Sequence, residues 1–212
     1  MEDRFGHDAV VFVVDDDANV REGLKDLLGS VGLRCEAFST TIEFLQRDFS
    51  KEVSCLILDV RLPQLSGLDL QAELVAAKIN IPIIFLTAHG DIPMTVKALK
   101  AGAVEFLTKP VREQDLLDAV RLALERDYRR REQEKKIVDL RARFQSLSPR
   151  EREVMALITR GLMNKQAAAE IGVSEVTVKV HKRSLMKKMG VRSVADLARI
   201  AEVLESEHGV GA

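Results

Sequence analysis

The strongest constraint on the fold is a regular alternation of short apolar runs with helically spaced segments from residue 10 to residue 125. Val10-Val11-Phe12-Val13-Val14 is apolar throughout, the pattern of a strand covered on both faces. Ala18–Ser30 follows, with Val20, Leu24, Leu27 and Leu28 on one helical stripe and Val31 just beyond. Similar apolar runs recur at 33–38, 53–58, 81–86 and 104–107. Helical stretches separate them near 40–47, 68–77 and 92–101, and another starts at Arg112. Strands alternating with helices in this way predict an open parallel sheet with helices on both faces. Right-handed crossovers leave few topologies, and for five strands the commonest order is 2-1-3-4-5.

The second half reads differently. Ten of the twelve residues from Glu125 to Lys136 are charged, Tyr128 and Gln133 being the exceptions. A stretch polar all round does not pack on a core, so a solvent-bridging linker helix is expected here, running on through Ile137, Leu140 and Phe144. Ser148 then caps a helix with Pro149 in its first position, and Gly161 stops it. Asn164 is placed to cap a short helix over 165–171, Gly172-Val173 makes a turn, and Ser174 caps a third helix reaching Met189. A final helix runs from Val194 to about Glu205. A short helix, a glycine turn and a capped second helix form the helix-turn-helix pattern.

Charge divides along the same line. Residues 1–127 carry a net −8 and residues 128–212 a net +7, so the near-neutral total conceals an acidic half and a basic half. The basic half is the one expected to meet a polyanion. No uninterrupted apolar stretch is long enough to span a membrane. Residues 1–8 have no basic-then-apolar leader, which predicts a cytoplasmic protein. Cys35 and Cys55 sit in strand-like runs and are expected to be buried free thiols. With four scattered histidines they provide no zinc spacing.

In a parallel sheet, sites form beyond the carboxyl ends of the strands, where the strand order switches. Strand one is followed by Asp15-Asp16-Asp17 and strand three by Asp59, and these strands are neighbours in the order 2-1-3. Strand four ends at Thr87, and Lys109-Pro110 follows strand five. Converging carboxylates repel one another unless a hard cation sits among them, and Mg²⁺ suits an all-oxygen site. Carboxylate, cation, hydroxyl and lysine together can accept and hold a phosphoryl group.

These residues carry a resemblance. Residues 8–125 resemble the receiver domain of two-component response regulators, and residues 147–205 resemble the LuxR-type DNA-binding domain. With the string Thr87-Ala88-His89-Gly90-Asp91-Ile92-Pro93-Met94, the chain is similar to the FixJ branch of the FixJ/NarL family. The resemblance implies α/β plus all-α architecture. A flavodoxin-like five-stranded receiver would occupy residues 1–125, a charged linker helix 126–146, and a four-helix helix-turn-helix domain 147–212. It implies Asp59 as phosphoacceptor. Asp15, Asp16, Asp59 and the Arg61 backbone carbonyl would hold Mg²⁺ or Mn²⁺. Lys109 and Thr87 would contact the phosphoryl oxygens, Phe106 would be an aromatic switch, and Lys109-Pro110 a cis peptide. It also implies a sensor histidine kinase, promoter DNA and RNA polymerase as partners, and a homodimer on phosphorylation. His89, two residues past Thr87, is a candidate for tuning the phosphoryl lifetime.

Taking 100° per residue, Val178, Leu185 and Met189 form the buried stripe of the third helix, with His181 on its flank as a packing residue. Lys179, Val180, Arg183 and Lys187 face away from it, with Val176 among them. A basic face there suits the major groove. By the resemblance Lys179, Val180 and Arg183 face bases, while Thr177 and Lys165 lie near phosphates. Only three positive charges are in excess over 147–212, so a dimer on paired half-sites is expected. Two other functions stand beside this one. A Mg²⁺-dependent phosphohydrolase would use Asp15 and Asp17, but no cap insertion encloses a substrate. A DNA-binding protein blind to phosphorylation would leave the carboxylate cluster without a use.

Overall fold

The strands β1 (Val10–Val14), β3 (Ser54–Leu58) and β4 (Ile83–Thr87) are buried at every residue, as their unbroken apolar runs require. β2 (Arg34–Phe38) and β5 (Glu105–Thr108) are only half-buried, because they form the two edges. All pairings are parallel, in the order β2-β1-β3-β4-β5. This computed structural model describes residues 9–49, 52–63, 65–88 and 90–208. The segment 1–8 and His89 lie outside the described residues.

Alternation along the strands divides the core in two. Val11, Val13, Ile57, Ile84 and Leu86 face α1 (Ala18–Ser30) and the first turns of α5 (Glu113–Gln145). Val10, Phe12, Val14, Leu56, Leu58 and Phe85 face the other way, onto α2 (Thr41–Leu45), α3 (Gly67–Ala76) and α4 (Ile92–Lys100). Each such side chain, fully buried, is worth about 1.5–3 kcal/mol relative to exposure, so the sheet is the rigid frame of this half.

The chain forms two compact units, Met1–Arg131 and Glu132–Ala212. The second holds the end of α5, then α6 (Pro149–Thr159), α7 (Asn164–Ile171), α8 (Glu175–Met189) and α9 (Val194–His208) around its own core of Val154, Leu157, Ile158, Val178, Leu185 and Leu197. No helix among the described residues is long and apolar enough to cross a membrane.

Three expectations need correction. The charged stretch of α5 is not wholly solvated, since Asp127 is fully buried. Its carboxylate accepts from the Ser54 backbone N–H at 2.9 Å, Arg130 Nη2 at 2.5 Å and Arg131 Nε at 2.6 Å. Arg131 also donates to the Phe49 carbonyl at 2.6 Å. A charge this deep is tolerated because every side of it is paired. Asn164 is the first residue of α7 rather than its cap: Met163 is the N-cap, and its N–H donates to Gln166 Oε1 at 2.8 Å. Cys35 is half-buried because β2 is an edge strand, while Cys55 is buried, and both are free. Burial lifts the Cys35 thiol to about 11.

The helix-turn-helix is braced by Glu151. Ser148 and Glu151 make a reciprocal capping box at the start of α6, and Glu151 also accepts from Ser184 at 2.6 Å and Lys188 at 2.7 Å on α8. Hydrogen bonds from Lys188, Ser184 and the Ser148 N–H hold its carboxyl at about 2, against an ordinary 4.5. A carboxylate with a lowered folded pKa stabilises above its unfolded value and ceases to do so as pH falls through the folded one. The second unit should therefore lose about 1–2 kcal/mol between pH 4.5 and pH 2, the partly exposed Lys188 keeping the figure small. Urea titrations of Glu151→Gln should show that pH dependence flattened. An unchanged dependence would show that Glu151 does not brace α8.

Candidate functional site

In a parallel sheet every strand delivers its last residue to the same edge. Val14 pairs with Leu58, so Asp15 and Asp59 emerge side by side, one residue beyond a matched register. The Asp59 N–H donates to the Val14 carbonyl at 2.9 Å, which continues the ladder up to the site. Asp16 completes a cluster in which one oxygen from each carboxylate of Asp15, Asp16 and Asp59 lies within 4.8 Å of the others. Asp17 is used differently, as the cap of α1, accepting from the Asn19 N–H at 2.8 Å. The Asp15–Asp17 pair required by the hydrolase reading is thus not assembled.

Lys109 reaches in from the loop after β5. Its ammonium donates to Asp15 Oδ2 at 2.5 Å and to Asp59 Oδ2 at 2.9 Å. The Lys109–Pro110 peptide is cis, and the Lys109 N–H donates to the Thr87 carbonyl at 2.8 Å. Burial pushes the Asp15 carboxyl above the usual carboxylate range, opposed by hydrogen bonds from Lys109 and the Asp17 N–H. For Lys109, burial pulls the ammonium down, but its hydrogen bonds to Asp15 and Asp59 together outweigh that and raise it. The Arg61 N–H donates to Asp59 Oδ1 at 3.0 Å, which orients the Asp59 carboxylate. The donor set is all oxygen, as a hard divalent cation requires, and Asp16 is exposed enough to admit one with its waters.

Thr87 is buried at the end of β4. Phe106, the neighbour of Phe85 in the register of β4 and β5, is half-buried with its ring 5.8 Å from that of Phe85. A Cβ at Gly90 would lie 2.7 Å from Phe106 Cε1, so the ring packs directly on the loop that follows Thr87. Two contributors escaped the sequence reading. Arg21 Nη1 donates to the Asp15 carbonyl at 2.6 Å and ties α1 to the acidic loop. Gly67 opens α3 so close to the site that a Cβ there would stand 2.2 Å from the Asp59 carbonyl oxygen. The only local signal for Gly67 is the capping Ser66 before it.

The basic face lies in the second unit. Lys179, Val180, Arg183 and Lys187 are all exposed on α8. Lys179 is held by Glu175 at 2.9 Å, a surface pair that separates at little cost. Thr177 is tied to the cap, its N–H donating to Ser174 Oγ at 3.1 Å. Lys165 is exposed on the first turn of α7. Lys182 and Arg192, not singled out from the sequence, line the same shallow depression as Lys179, Arg183 and Lys187.

Comparison with known proteins matches both units. The response regulator receiver domain family covers residues 11–121, and the luxR family of bacterial regulatory proteins covers residues 145–201. Nodulation protein W of Bradyrhizobium diazoefficiens is 56% identical over 196 residues, which is 92% of this chain and 86% of that protein. The solved structure of the response regulator StyR has 50% identity and a TM-score of 0.84, covering 92% of this chain and 98% of its own. Full-length FixJ from B. japonicum has 37% identity and a TM-score of 0.56, covering 91% and 95%.

Proposed function

The chain belongs to the transcriptional response regulators that join a receiver to a LuxR-type DNA-binding domain, and on that premise we propose that Asp59 phosphorylation controls its grip on promoter DNA. The observation that carries this reading is the Lys109 ammonium set between Asp15 and Asp59 at the switch edge of the sheet. A histidine kinase is the donor. An Asp59 carboxylate oxygen forms a bond to phosphorus as the bond from phosphorus to the kinase's histidine nitrogen breaks, and that nitrogen leaves with the electron pair. Asp15, Asp16, Asp59 and the Arg61 carbonyl would hold Mg²⁺, which supplies positive charge against the phosphoryl oxygens. Lys109 neutralises a further oxygen, and Thr87 hydrogen-bonds another. The chain acts on no substrate beyond its own phosphoryl group. Its DNA partner places that work in the cytoplasm, with RNA polymerase at the same promoter.

The drawn-in Thr87 hydroxyl then frees space for the Phe106 ring to leave its seat on Gly90. The surface of α4, β5 and α5 changes with it and pairs with a second copy. A difference of a few kcal/mol between the two ring positions is sufficient to switch the populations. Two joined helix-turn-helix units engage paired half-sites through Lys179, Val180, Arg183 and Lys187, with Thr177 and Lys165 on the backbone. The test is the oligomer mass with and without acetyl phosphate and Mg²⁺. Wild type should pass from monomer to dimer, and Thr87→Ala should take up phosphoryl yet remain monomeric. Dimerisation of phosphorylated Thr87→Ala as complete as that of wild type would sever the proposed link.

A further inference from the structure

The outward stripe of α8 is not uniformly basic. Val178, Leu185 and Met189 point into the core. Opposite them, at 100° per residue, Val176, Val180, Arg183 and Lys187 fall within about 60° of one another in a single row. The C-terminal half of that row is cationic. Its N-terminal half is two valines one turn apart, with 68% of Val176 and 61% of Val180 exposed. Two large apolar side chains this open on the first turns of a helix cost free energy in water, and neither stabilises the core of its unit.

We propose that Val176 and Val180 are a paired contact for the C5-methyl groups of thymine, so that each half-site is selected for two thymines. The inference rests on α8 being the helix that enters the groove. The occupant follows from what surrounds the valines: Lys179, Arg183 and Lys187 make the face complementary to a phosphate-lined groove and opposed to an apolar protein partner. In a helix-turn-helix the N-terminal residues of the second helix meet base edges, and the valines occupy those turns. The major groove presents one apolar group on natural bases, the thymine methyl. Val176 is the specificity-determining addition, standing at the centre of the outward face. Arg183 and Lys187, further along, take the guanine edges and the backbone.

The experiment uses the full-length protein with acetyl phosphate and Mg²⁺. Duplexes are enriched from a random-sequence pool, and the enriched sites are then resynthesised with uracil in place of thymine, which removes only the methyl. Each contacted methyl removed should weaken binding about fourfold, the worth of one buried methylene-sized group. Val176→Ala should bind thymine and uracil versions alike at one position, and Val180→Ala at another. Val176→Thr, which keeps one methyl, should retain part of the difference. Equal binding of thymine and uracil duplexes by wild type overturns the inference, as it would if a protein partner covers the valines instead. Arg183→Ala separates the two levels. If it weakens binding while uracil has no effect, α8 is in the groove but the valines do not read methyls. If Arg183→Ala and both valine variants all bind as wild type does, α8 is not in the groove and the inference falls with that premise.

Discussion

Incubated with acetyl phosphate and Mg²⁺, the wild-type chain should gain one phosphoryl mass, and Asp59→Asn none. The substitution is close to isosteric and leaves the amide oxygen able to accept from the Arg61 N–H, so the loop after β3 should keep its shape. It removes the anionic oxygen that, on the proposed function, attacks phosphorus, and an amide is no substitute as a nucleophile. The charge that Lys109 neutralises at 2.9 Å goes with it. Asp15 and Asp16 lie in the same cluster, and they decide whether the assignment is specific. Asp15 is buried and bound by Lys109, the Asp17 N–H and the loop that holds it, which suits a cation ligand more than an attacking group. Intact mass followed by peptide mapping checks the result. A label that survives in Asp59→Asn, or wild-type labelling unaffected by EDTA, would refute the assignment.

The second large effect is on stability. Asp127→Ala should destabilise the first unit by about 2–4 kcal/mol, read as a lower midpoint in urea. Removing the carboxylate leaves the Ser54 N–H without its acceptor at the foot of β3, and it frees Arg130 and Arg131 from the partner that holds them. The adjoining Ser54 hydroxyl is buried and makes no hydrogen bond among the described residues. Asp127→Asn should cost less, because its side-chain oxygen can still serve the Ser54 N–H. A loss below about 0.5 kcal/mol in Asp127→Ala would place the residue among ordinary surface positions.

Asp127 also marks where the sequence stops being informative. Its neighbours are nearly all charged, and its decisive partner, Ser54, is 73 residues away, so no local pattern distinguishes it from the solvated positions around it. Gly67 is the same case in backbone form: its need to lack a Cβ comes from Asp59, which approaches only after α3 has docked. The central strands were legible because burial on both faces demands unbroken apolar runs, and β1, β3 and β4 have them. Asp15, Asp16, Thr87 and Lys109 were legible for a related reason. Once strand order is fixed, a strand's last residue has only one place to go. On α8 the periodicity separates inward from outward residues but gives no measure of exposure, so Val176 passes as incidental among the basic residues, and only the family resemblance sets Val180 against bases.

The acidic site takes its parts from the ends of four strands, and Lys109 stands 94 residues from its partner Asp15. The chain leaves the ribosome with the carboxylates first and the lysine last. Until β5 has been synthesised and has joined the edge of the sheet, the acidic loops have no ammonium between them and no hydroxyl held in register. Competence to receive a signal thus arrives together with completion of the fold. On the proposed function, a nascent or partly unfolded receiver would have no complete site to accept a phosphoryl group, and so no means of recruiting its DNA-binding half ahead of time. On that reading, the pairing of β5 at the edge of the sheet is a condition of signalling as well as of folding.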